Sequence, residues 1–398
     1  MATMSRNGHP AVLSAFSGAG GLDLGFEKAG FRTVGCIENN SAARATLEAN
    51  RPAWRLLEPA EINALSSSLT PPNLGLAEGE LGVIAGGPPC QPFSKASQWL
   101  QTGAKGMADE RSDCLTGLMR LVDAFLPRVV FLENVPGFVR GRTSALPFIA
   151  SQMDAINQRQ GTQYRPQVRI LNAADYGVPQ RRRRALIVAL RDGGEFEWPA
   201  QTHADRPVRC WDAIGGMSCN DAGRAAGRWA DLLPSIPEGW NYQWHTNRGG
   251  GCPLFGYRTR YWSFLLKLAK GEPAWTLPAS PGPATGPFHW ENRALSVREM
   301  LRLQSFPVCW QVCGSLKDRV RQVGNATPPL LAEVIGRAIG DQALNLKYET
   351  PPRLRIPRKR SIPVPEMVHP IPRRYRSLQG DHAPHPGPGR GPKPLARS

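Results

Sequence analysis

Residues 81–93 read L-G-V-I-A-G-G-P-P-C-Q-P-F, and this stretch does most to decide the fold. Its apolar first part, residues 81–87, predicts a buried parallel strand that ends in glycines. Because Pro88 and Pro89 are incompatible with a helix or a strand ladder, we expect Cys90 on a stiff loop at the carboxyl end of that strand. Ligands bind at this edge of an open α/β sheet. Cys90 is therefore either a nucleophile or, like most free cysteines, a small buried apolar residue.

The composition is that of a globular protein. The 398 residues suffice for two domains, and 41% of them are hydrophobic. The sequence contains no window of about 18 apolar residues, which a membrane span requires, and residues 1–10 lack the apolar core of a secretory signal. We therefore expect a cytoplasmic protein without a membrane partner. The eight cysteines form no C-x-x-C pair, so the sequence predicts neither a metal site nor a redox dithiol.

The formal net charge of +17 is concentrated at the carboxyl end of the chain. Residues 350–398 hold 11 Lys/Arg, 2 Asp/Glu and 12 prolines, so they carry +9 of that charge. Because this segment has few large apolar residues, we expect it to be a disordered basic tail. The rest of the chain is basic as well, and this excess of positive charge favours a nucleic acid as the partner.

The predicted elements divide the rest of the chain into a larger domain and a smaller insertion. Residues 1–194 alternate strand-like and helix-like segments, which indicates an α/β fold with a parallel sheet. Residues 195–275 are rich in Gly and Trp and lose helical periodicity, so we expect a second, irregular domain there. Residues 276–349 return to the first domain. The predicted strands are 11–16, 33–37, 81–85, 129–132 and 185–190. The predicted helices are 115–125, 296–303 with Ser296 as N-cap and a capping box to Glu299, and 329–344.

A glycine-rich turn follows the first predicted strand. Residues 16–21 read F-S-G-A-G-G and open a helix that contains Leu22. Glycines at such a turn allow a ligand to approach the backbone, and the helix amino terminus attracts negative charge. Glu38 ends the second predicted strand, where a carboxylate suits the hydroxyls of a ribose. Together they indicate an adenosine-bearing cofactor, either NAD or S-adenosylmethionine, and the departure from G-x-G-x-x-G disfavours NAD.

Two further charged motifs lie beside predicted strands. Glu133 directly follows the strand 129–132, where a carboxylate is either a functional group or a helix cap. Residues 180–184 read Q-R-R-R-R, and a basic run of this kind is normally a solvated or phosphate-facing surface. Since alternate residues of an extended segment point to the same side, we expect Arg182 and Arg184 to share a face.

Taken in order, these motifs resemble those of the DNA (cytosine-5)-methyltransferase family. Residues 16–21 resemble the family's cofactor loop, and G-G-P-P-C-Q-P-F-S at 86–94 resembles its nucleophile loop. The resemblance spans residues 11–344 and also includes E-N-V at 133–135, Q-x-R-x-R at 180–184, Arg293 with residues 296–307, and Q-V-G-N-A-T at 322–327. One departure is Glu61-Ile62, which stands where the family often has Asp-Ile to hold the adenine amino group.

The resemblance implies a Rossmann-like, S-adenosylmethionine-dependent methyltransferase that acts on C5 of a cytosine flipped out of a specific duplex DNA sequence. It implies that Cys90 attacks C6 of the base and that Glu133 protonates or hydrogen-bonds N3. Arg184 would contact O2, with Arg182 supporting the loop or a phosphate. The cofactor-binding residues that it implies are Phe16, Ser17, Gly18, Gly20, Gly21, Leu22, Glu38, Pro88 and Asn325.

The resemblance also implies the partners. Residues 195–275 would form the target-recognition domain, and residues 94–113 a mobile loop that closes over double-stranded DNA. The compact layout is typical of a monomeric bacterial or phage modification enzyme, cytoplasmic and associated with the nucleoid, with a cognate restriction endonuclease in the same system. Two alternatives stay open. One is a tRNA cytosine-C5 methyltransferase on the same scaffold, and the other is a catalytically idle DNA-binding relative.

Overall fold

The computed structural model describes residues 8–89, 113–217, 223–258, 261–359 and 361–382. Cys90, nearly all of the loop predicted at 94–113, and residues 383–398 lie outside these ranges. The strands are β1 Ala11–Ala15, β2 Arg32–Ile37, β3 Val83–Gly86, β4 Val129–Asn134, β5 Gln167–Asn172, β6 Gln180–Arg181, β7 Arg183–Leu190 and β8 Ala274–Trp275. The α-helices are α1 Gly21–Lys28, α2 Ser41–Asn50, α3 Ile62–Leu65, α4 Cys114–Phe125, α5 Leu146–Gln160, α6 Cys210–Ile214, α7 Val297–Leu303, α8 Leu316–Asn325 and α9 Pro329–Ala343.

Six strands form the central sheet in the order β2-β1-β3-β4-β7-β5. The first four are parallel neighbours, as the alternation of elements predicted. β7, however, runs antiparallel to both β4 and β5, so the prediction of a fully parallel sheet is wrong at this end. The reason is the short connection. Only residues 173–182 join β5 to β7, whereas a parallel neighbour needs a crossover of about a dozen residues or more.

Two hydrophobic clusters lie on opposite faces of the sheet, because successive side chains of a strand point to opposite sides. In β3, Val83 and Ala85 belong to one cluster and Ile84 to the other. The first face is covered by α1 and α9, which pack against each other, and the second by α4 and α5. The central strands are buried on both faces, so they appear in the sequence as continuous apolar runs.

The predicted strands and helices are confirmed to within about two residues at each end, the ordinary uncertainty of element boundaries. The capping box before α7 is present as predicted. The Glu299 backbone N–H donates to Ser296 Oγ at 3.1 Å, and the Ser296 N–H donates to Glu299 Oε2 at 2.8 Å. This reciprocal pair fixes where α7 begins.

A third hydrophobic cluster lies in a small lobe, residues 223–258 and 261–288. Leu268, Ala274 and Leu277 of this range belong instead to the first large cluster, where the lobe meets the sheet domain. The described part of this lobe contains short 3-10 helices at Ala230–Ser235 and Tyr242–His245, in keeping with the irregular structure expected here. Its core is built from Leu232, Leu233, Ile236, Tyr242, Leu254, Leu265 and Phe288. Residues 196–214, expected to share this domain, contribute instead to the first large cluster through Phe196, Val208 and Ile214.

Parts of the carboxyl-terminal segment pack against the rest of the chain. Leu354 and Ile356 are buried in the first large cluster, and Tyr375 is buried in the small-lobe cluster. The prediction of a disordered tail is therefore wrong where these three side chains pack. Val364, Met367 and Val368 of the same segment are exposed, so only part of its apolar content is buried. No described helix is both long and apolar enough to cross a membrane.

Candidate active site

A cavity of about 400 Å³ opens at the carboxyl ends of β1 to β4. Four successive strand ends supply its walls, because parallel strands end at the same edge of a sheet. Its lining includes these predicted site residues: Phe16, Ser17, Gly18, Leu22, Glu38, Pro88, Glu133, Arg182, Arg184 and Asn325. Thus the structure brings together ten residues that lie as much as 309 positions apart in the sequence (Phe16 to Asn325).

The glycine-rich turn is tied to the end of β2 through Glu38. The Gly18 backbone N–H donates to Glu38 Oε2 at 2.8 Å, and the Asn40 N–H donates to Glu38 Oε1 at 2.7 Å. Gly18 has φ +55°, a left-handed conformation that favours glycine. Glu38 thereby fixes the turn and keeps further acceptor capacity on both carboxylate oxygens.

Gly20 and Gly21 do not line the cavity. A Cβ at Gly21 would lie 2.2 Å from the Thr327 carbonyl oxygen and 3.0 Å from the Phe306 ring. The absence of a side chain at Gly21 therefore lets α1 begin directly against the chain that follows α8. This packing accounts for a glycine at position 21 without any ligand contact.

Pro88 and Pro89 line the cavity immediately before Cys90, which is outside the described residues. Asn134 holds this loop, because its buried Nδ2 donates to the Pro88 carbonyl oxygen at 2.9 Å. Its Oδ1 accepts from the Val135 N–H at 2.8 Å. Sequence reasoning did not select Asn134 as a site residue, although it is the middle letter of the E-N-V motif.

Glu133 and Arg184 form an ion pair in the wall of the cavity, with 2.8 Å between Arg184 Nε and Glu133 Oε1. The side chains are only 7% and 12% exposed. The antiparallel direction of β7 explains the contact. Arg184 lies at the start of β7, and the register pairs Ala185 with Asn134 and Leu186 with Glu133. A buried charge is tolerated when it is paired, and here each charge has its partner.

The other arginines of the run have separate environments. Arg182 is fully buried, and its Nη2 donates to the carbonyl oxygens of Gly324 at 2.9 Å and Asn325 at 3.2 Å. It braces the carboxyl end of α8, where carbonyl oxygens lack helical partners. Arg183 is exposed, and Arg181 pairs with Glu272 in the segment that precedes β8. Arg182 and Arg184 therefore share the cavity side, as predicted.

Asn325 ends α8 and is exposed to the cavity. Two further residues of the same helix, Arg321 and Gln322, line the cavity and were not selected from the sequence. Gln322 is buried and accepts from Thr46 Oγ1 at 2.8 Å, which ties α8 to α2. Arg321 and Gln322 lie one helical turn before Asn325, and this spacing could have identified them from the sequence.

A second cavity of about 210 Å³ shares Phe16, Glu38 and Pro89 with the first. Glu61 and Ile62 line it, where the sequence departs from the family's Asp-Ile pair. Glu61 Oε2 accepts from the backbone N–H groups of Asn63 at 2.8 Å and Ala64 at 3.0 Å. Glu61 thus caps α3 and fixes one wall of this cavity.

Behind the glycine-rich turn, Asp23 and Cys36 are buried together. Cys36 Sγ donates to Asp23 Oδ1 at 3.5 Å. Burial raises the pKa of Asp23, and burial beside that carboxyl raises the pKa of the Cys36 thiol well above its usual value. Neither residue lines the cavity, so this pair belongs to the support of α1 and β2.

An open sheet with a helix-opening glycine turn after β1, an acidic residue after β2 and the antiparallel strand β7 defines a Rossmann-like methyltransferase fold. The model of the C-5 cytosine-specific DNA methylase family matches residues 11–218 and 259–341. The chain belongs to this family, and it is a DNA (cytosine-5)-methyltransferase.

Comparison with individual proteins agrees with the family. The type II methyltransferase M.SacI of Streptomyces achromogenes is 35% identical over 83% of this chain and 93% of its own length. The type II methyltransferase M.NgoFVII of Neisseria gonorrhoeae is 32% identical over 82% of this chain and 85% of its own. Among solved structures, the Dnmt2 methyltransferase of S. pombe aligns with a TM-score of 0.57 at 17% identity, over 85% of this chain and 100% of that one. This last similarity concerns the fold alone.

Proposed function

We propose that the chain uses S-adenosylmethionine to methylate one cytosine in a specific duplex DNA sequence, as the modification enzyme of a type II restriction-modification system. The observation that carries the proposal is the cavity of about 400 Å³ at the sheet edge. It joins the glycine-rich turn and Glu38 to the Glu133–Arg184 pair and to the loop that leads into Cys90. The type II relatives support the biological setting.

The residues of the cavity fit an adenosine-bearing cofactor. Glu38 can accept further hydrogen bonds from ribose hydroxyls. Among the described residues, the Cβ position of Gly18 meets only the Phe16 carbonyl oxygen, at 3.9 Å, so the described part of the site leaves room beside the turn. Phe16, Ser17, Leu22, Pro88 and Asn325 would complete the binding site, and Gly20 and Gly21 would support it by packing. When bound, S-adenosylmethionine supplies the electrophilic methyl group.

The residues on the base side fit covalent catalysis on cytosine. Cys90 would attack C6 as a thiolate, forming a C–S bond and moving electron density to C5. Glu133 would act in its acid form by donating a hydrogen bond or its proton to N3. Arg184 would hold O2 and pair with the carboxylate that this proton transfer leaves on Glu133. After C5 gains the methyl group, a water-derived base would take the C5 proton and the C5–C6 double bond would re-form as the Cys90 thiolate leaves. N3 would return its proton to Glu133, which restores the ring. Arg182 would act by bracing Asn325.

The small lobe is the proposed DNA-recognition element, together with the residues that follow it up to α7. It carries the exposed aromatic side chains Trp240, Tyr261 and Trp262, and Arg258 lies over the Tyr261 ring. Planar cationic and aromatic groups of this kind suit contacts with bases and phosphates. We further propose that the enzyme acts as a monomer on the nucleoid in the cytoplasm, alongside a cognate endonuclease.

The proposal is tested by expressing the chain in a bacterial host without cytosine methylation and mapping 5-methylcytosine across its genome and tRNA. We expect methylation of one short DNA motif at every occurrence. A Cys90→Ala variant provides the matched control, and its genome should stay unmethylated. An unmodified genome with methylated tRNA would instead assign the activity to RNA.

A further inference from the structure

Residues 350–382, called the strap below, contribute buried side chains to two separate hydrophobic clusters. Leu354 and Ile356 lie in the large cluster on the α1–α9 face of the sheet. Tyr375 lies in the small-lobe cluster and is 3% exposed. The family model matches the chain up to residue 341, and the strap lies beyond that residue. A segment outside the matched region thus joins the two parts of the enzyme.

The first anchor of the strap is on the catalytic body, meaning the sheet and its helices. Glu333 of α9 is fully buried, and its carboxylate accepts from the backbone N–H groups of Arg353 at 2.6 Å and Leu354 at 2.9 Å. Further along, the Lys359 N–H donates to Asp212 Oδ1 of α6 at 2.9 Å. These hydrogen bonds join the backbone of the strap to two buried carboxylates. They therefore fix the path of the chain independently of the charges on its side chains.

The second anchor is on the small lobe. Glu366 Oε1 lies 2.9 Å from Lys270 Nζ, and its backbone N–H donates to Glu238 Oε1 at 2.9 Å. The His369 N–H then donates to the Pro234 carbonyl oxygen at 2.9 Å. These contacts lead the strap across the lobe towards its core.

Tyr375 completes the second anchor. Its ring stacks on Trp229, with 5.4 Å between the ring centroids and 20° between the planes. Its hydroxyl donates to the Arg228 carbonyl oxygen at 2.6 Å. The neighbouring Arg374 pairs with Asp231. A stacked and hydrogen-bonded aromatic residue is a strong point of attachment between two surfaces.

We propose that the strap holds the small lobe in a fixed orientation to the catalytic cavity, and that Tyr375 and Glu366 are positioning residues for DNA recognition. The proposal rests on the proposed function, in which the small lobe contacts DNA while the cavity holds the target base. Duplex DNA must then engage both surfaces at once. A lobe that is already oriented avoids the loss of conformational freedom on binding, and this raises the affinity for DNA.

A rival explanation is that the basic strap contributes only through its positive charge. The two explanations predict opposite effects for Glu366. Removing a negative charge strengthens binding to a polyanion if charge alone matters. It weakens binding if the Lys270 contact orients the lobe. Arg376 offers the charge control, because it is exposed and adjacent to Tyr375. Its removal weakens DNA binding if charge alone matters.

The test uses the full chain with four single substitutions, Tyr375→Ala, Tyr375→Phe, Glu366→Gln and Arg376→Ala. The readouts are KM for a duplex that contains the mapped target, kcat, and the Kd for S-adenosylmethionine. We expect KM to rise about tenfold in Tyr375→Ala and about threefold in Glu366→Gln, as for a partly exposed ion pair. The kcat and the cofactor Kd should stay within about twofold of the parent values. Tyr375→Phe keeps the stacked ring and should restore most of the affinity, and Arg376→Ala should resemble the parent.

Two results would overturn the proposal. One is a parent-like KM in Tyr375→Ala, and the other is a lower KM in Glu366→Gln, the signature of charge alone. Glu366 lies outside the small-lobe cluster and Lys270 keeps its contact with Glu238, so Glu366→Gln does not act by unfolding the lobe. A parent chain that methylates no DNA would instead refute the proposed function, which separates the two failures.

Discussion

Arg184 Nε lies 2.8 Å from Glu133 Oε1, and this contact exists because β7 runs antiparallel to β4. In a parallel sheet the start of β7 would lie at the opposite edge, far from the end of β4. The reversal brings an arginine to the edge at which the parallel strands place a glutamate and the loop before Cys90. The pairing of a cation with a carboxylate in the cavity is thus a consequence of topology.

For variants of the Glu133–Arg184 ion pair, we expect stability and activity to respond differently. Arg184→Ala leaves the largely buried Glu133 carboxylate without its cation, so we expect a loss of about 2 kcal/mol of unfolding free energy, less than for a fully enclosed pair because the cavity is open. Glu133→Gln combined with Arg184→Ala should recover much of that loss. Activity should fall at least about 100-fold in both variants, as expected when a positioned acid–base or electrostatic group is removed. Urea unfolding and methyl-transfer rates provide the measurements.

Arg183→Ala is the matched control for this comparison. Arg183 is exposed and adjacent in the sequence, so its removal should change the unfolding free energy by less than about 0.5 kcal/mol. An Arg184→Ala variant with parent stability and activity would contradict the role assigned to the pair.

The second prediction concerns Asn134, which holds the loop before Cys90 through its hydrogen bond to Pro88. Asn134→Asp replaces the Nδ2 donor to the Pro88 carbonyl oxygen with an acceptor, so two oxygen atoms would face each other at the site of the present 2.9 Å contact. We expect kcat to fall by about 10- to 100-fold, since a displaced catalytic group costs rate steeply. The Kd for the cofactor, measured by calorimetry, should change little. Parent-like kcat in this variant would show that the loop before Cys90 is held by other contacts.

Gly21 predicts a loss of stability that does not depend on a ligand. In Gly21→Ala the new Cβ would meet the Thr327 carbonyl oxygen at 2.2 Å, so α1 or the chain after α8 must move. We expect a loss of about 3 kcal/mol in unfolding free energy without cofactor, as for an overpacked core. Gly223→Ala is the control, because no atom of the described residues lies within 4 Å of its Cβ position. If the two variants were equally stable, packing would not explain the glycine at position 21, and contact with a ligand would be the role left for it.

The sequence revealed the elements whose physical signal is local. The strands β1, β3 and β4 are continuous apolar runs, and α7 has a capping box. β5 was missed because it is largely half-exposed. α5 buries Ile149, Met153 and Ile156, and their i, i+4, i+7 spacing is the signal that would have identified it. The direction of β7 could not be predicted from its own residues, because it depends on the short connection from β5.

The site residues that could be predicted from the sequence are likewise those whose signal is local. Phe16, Glu38, Glu133 and Arg184 stand next to strand ends, so motif and topology together brought them to one cavity. Asn134 and Gln322 act through Pro88 and Thr46, which are distant in the sequence, and their roles appear only when those partners are in place. The packing of Tyr375 was hidden because the average composition of the tail outweighed its few apolar residues.

The most direct test of the central claim, covalent catalysis by Cys90 at cytosine C6, uses duplex DNA with 5-fluorocytosine at the mapped target position. Fluorine at C5 blocks the proton loss that releases the enzyme, so methyl transfer should leave the chain bound through the Cys90 sulfur. We predict a denaturation-resistant protein–DNA adduct with the parent chain and cofactor, and peptide mass spectrometry should locate it at Cys90. The Cys90→Ala variant should form no adduct. An adduct at another residue, or cytosine methylation by Cys90→Ala, would contradict the account.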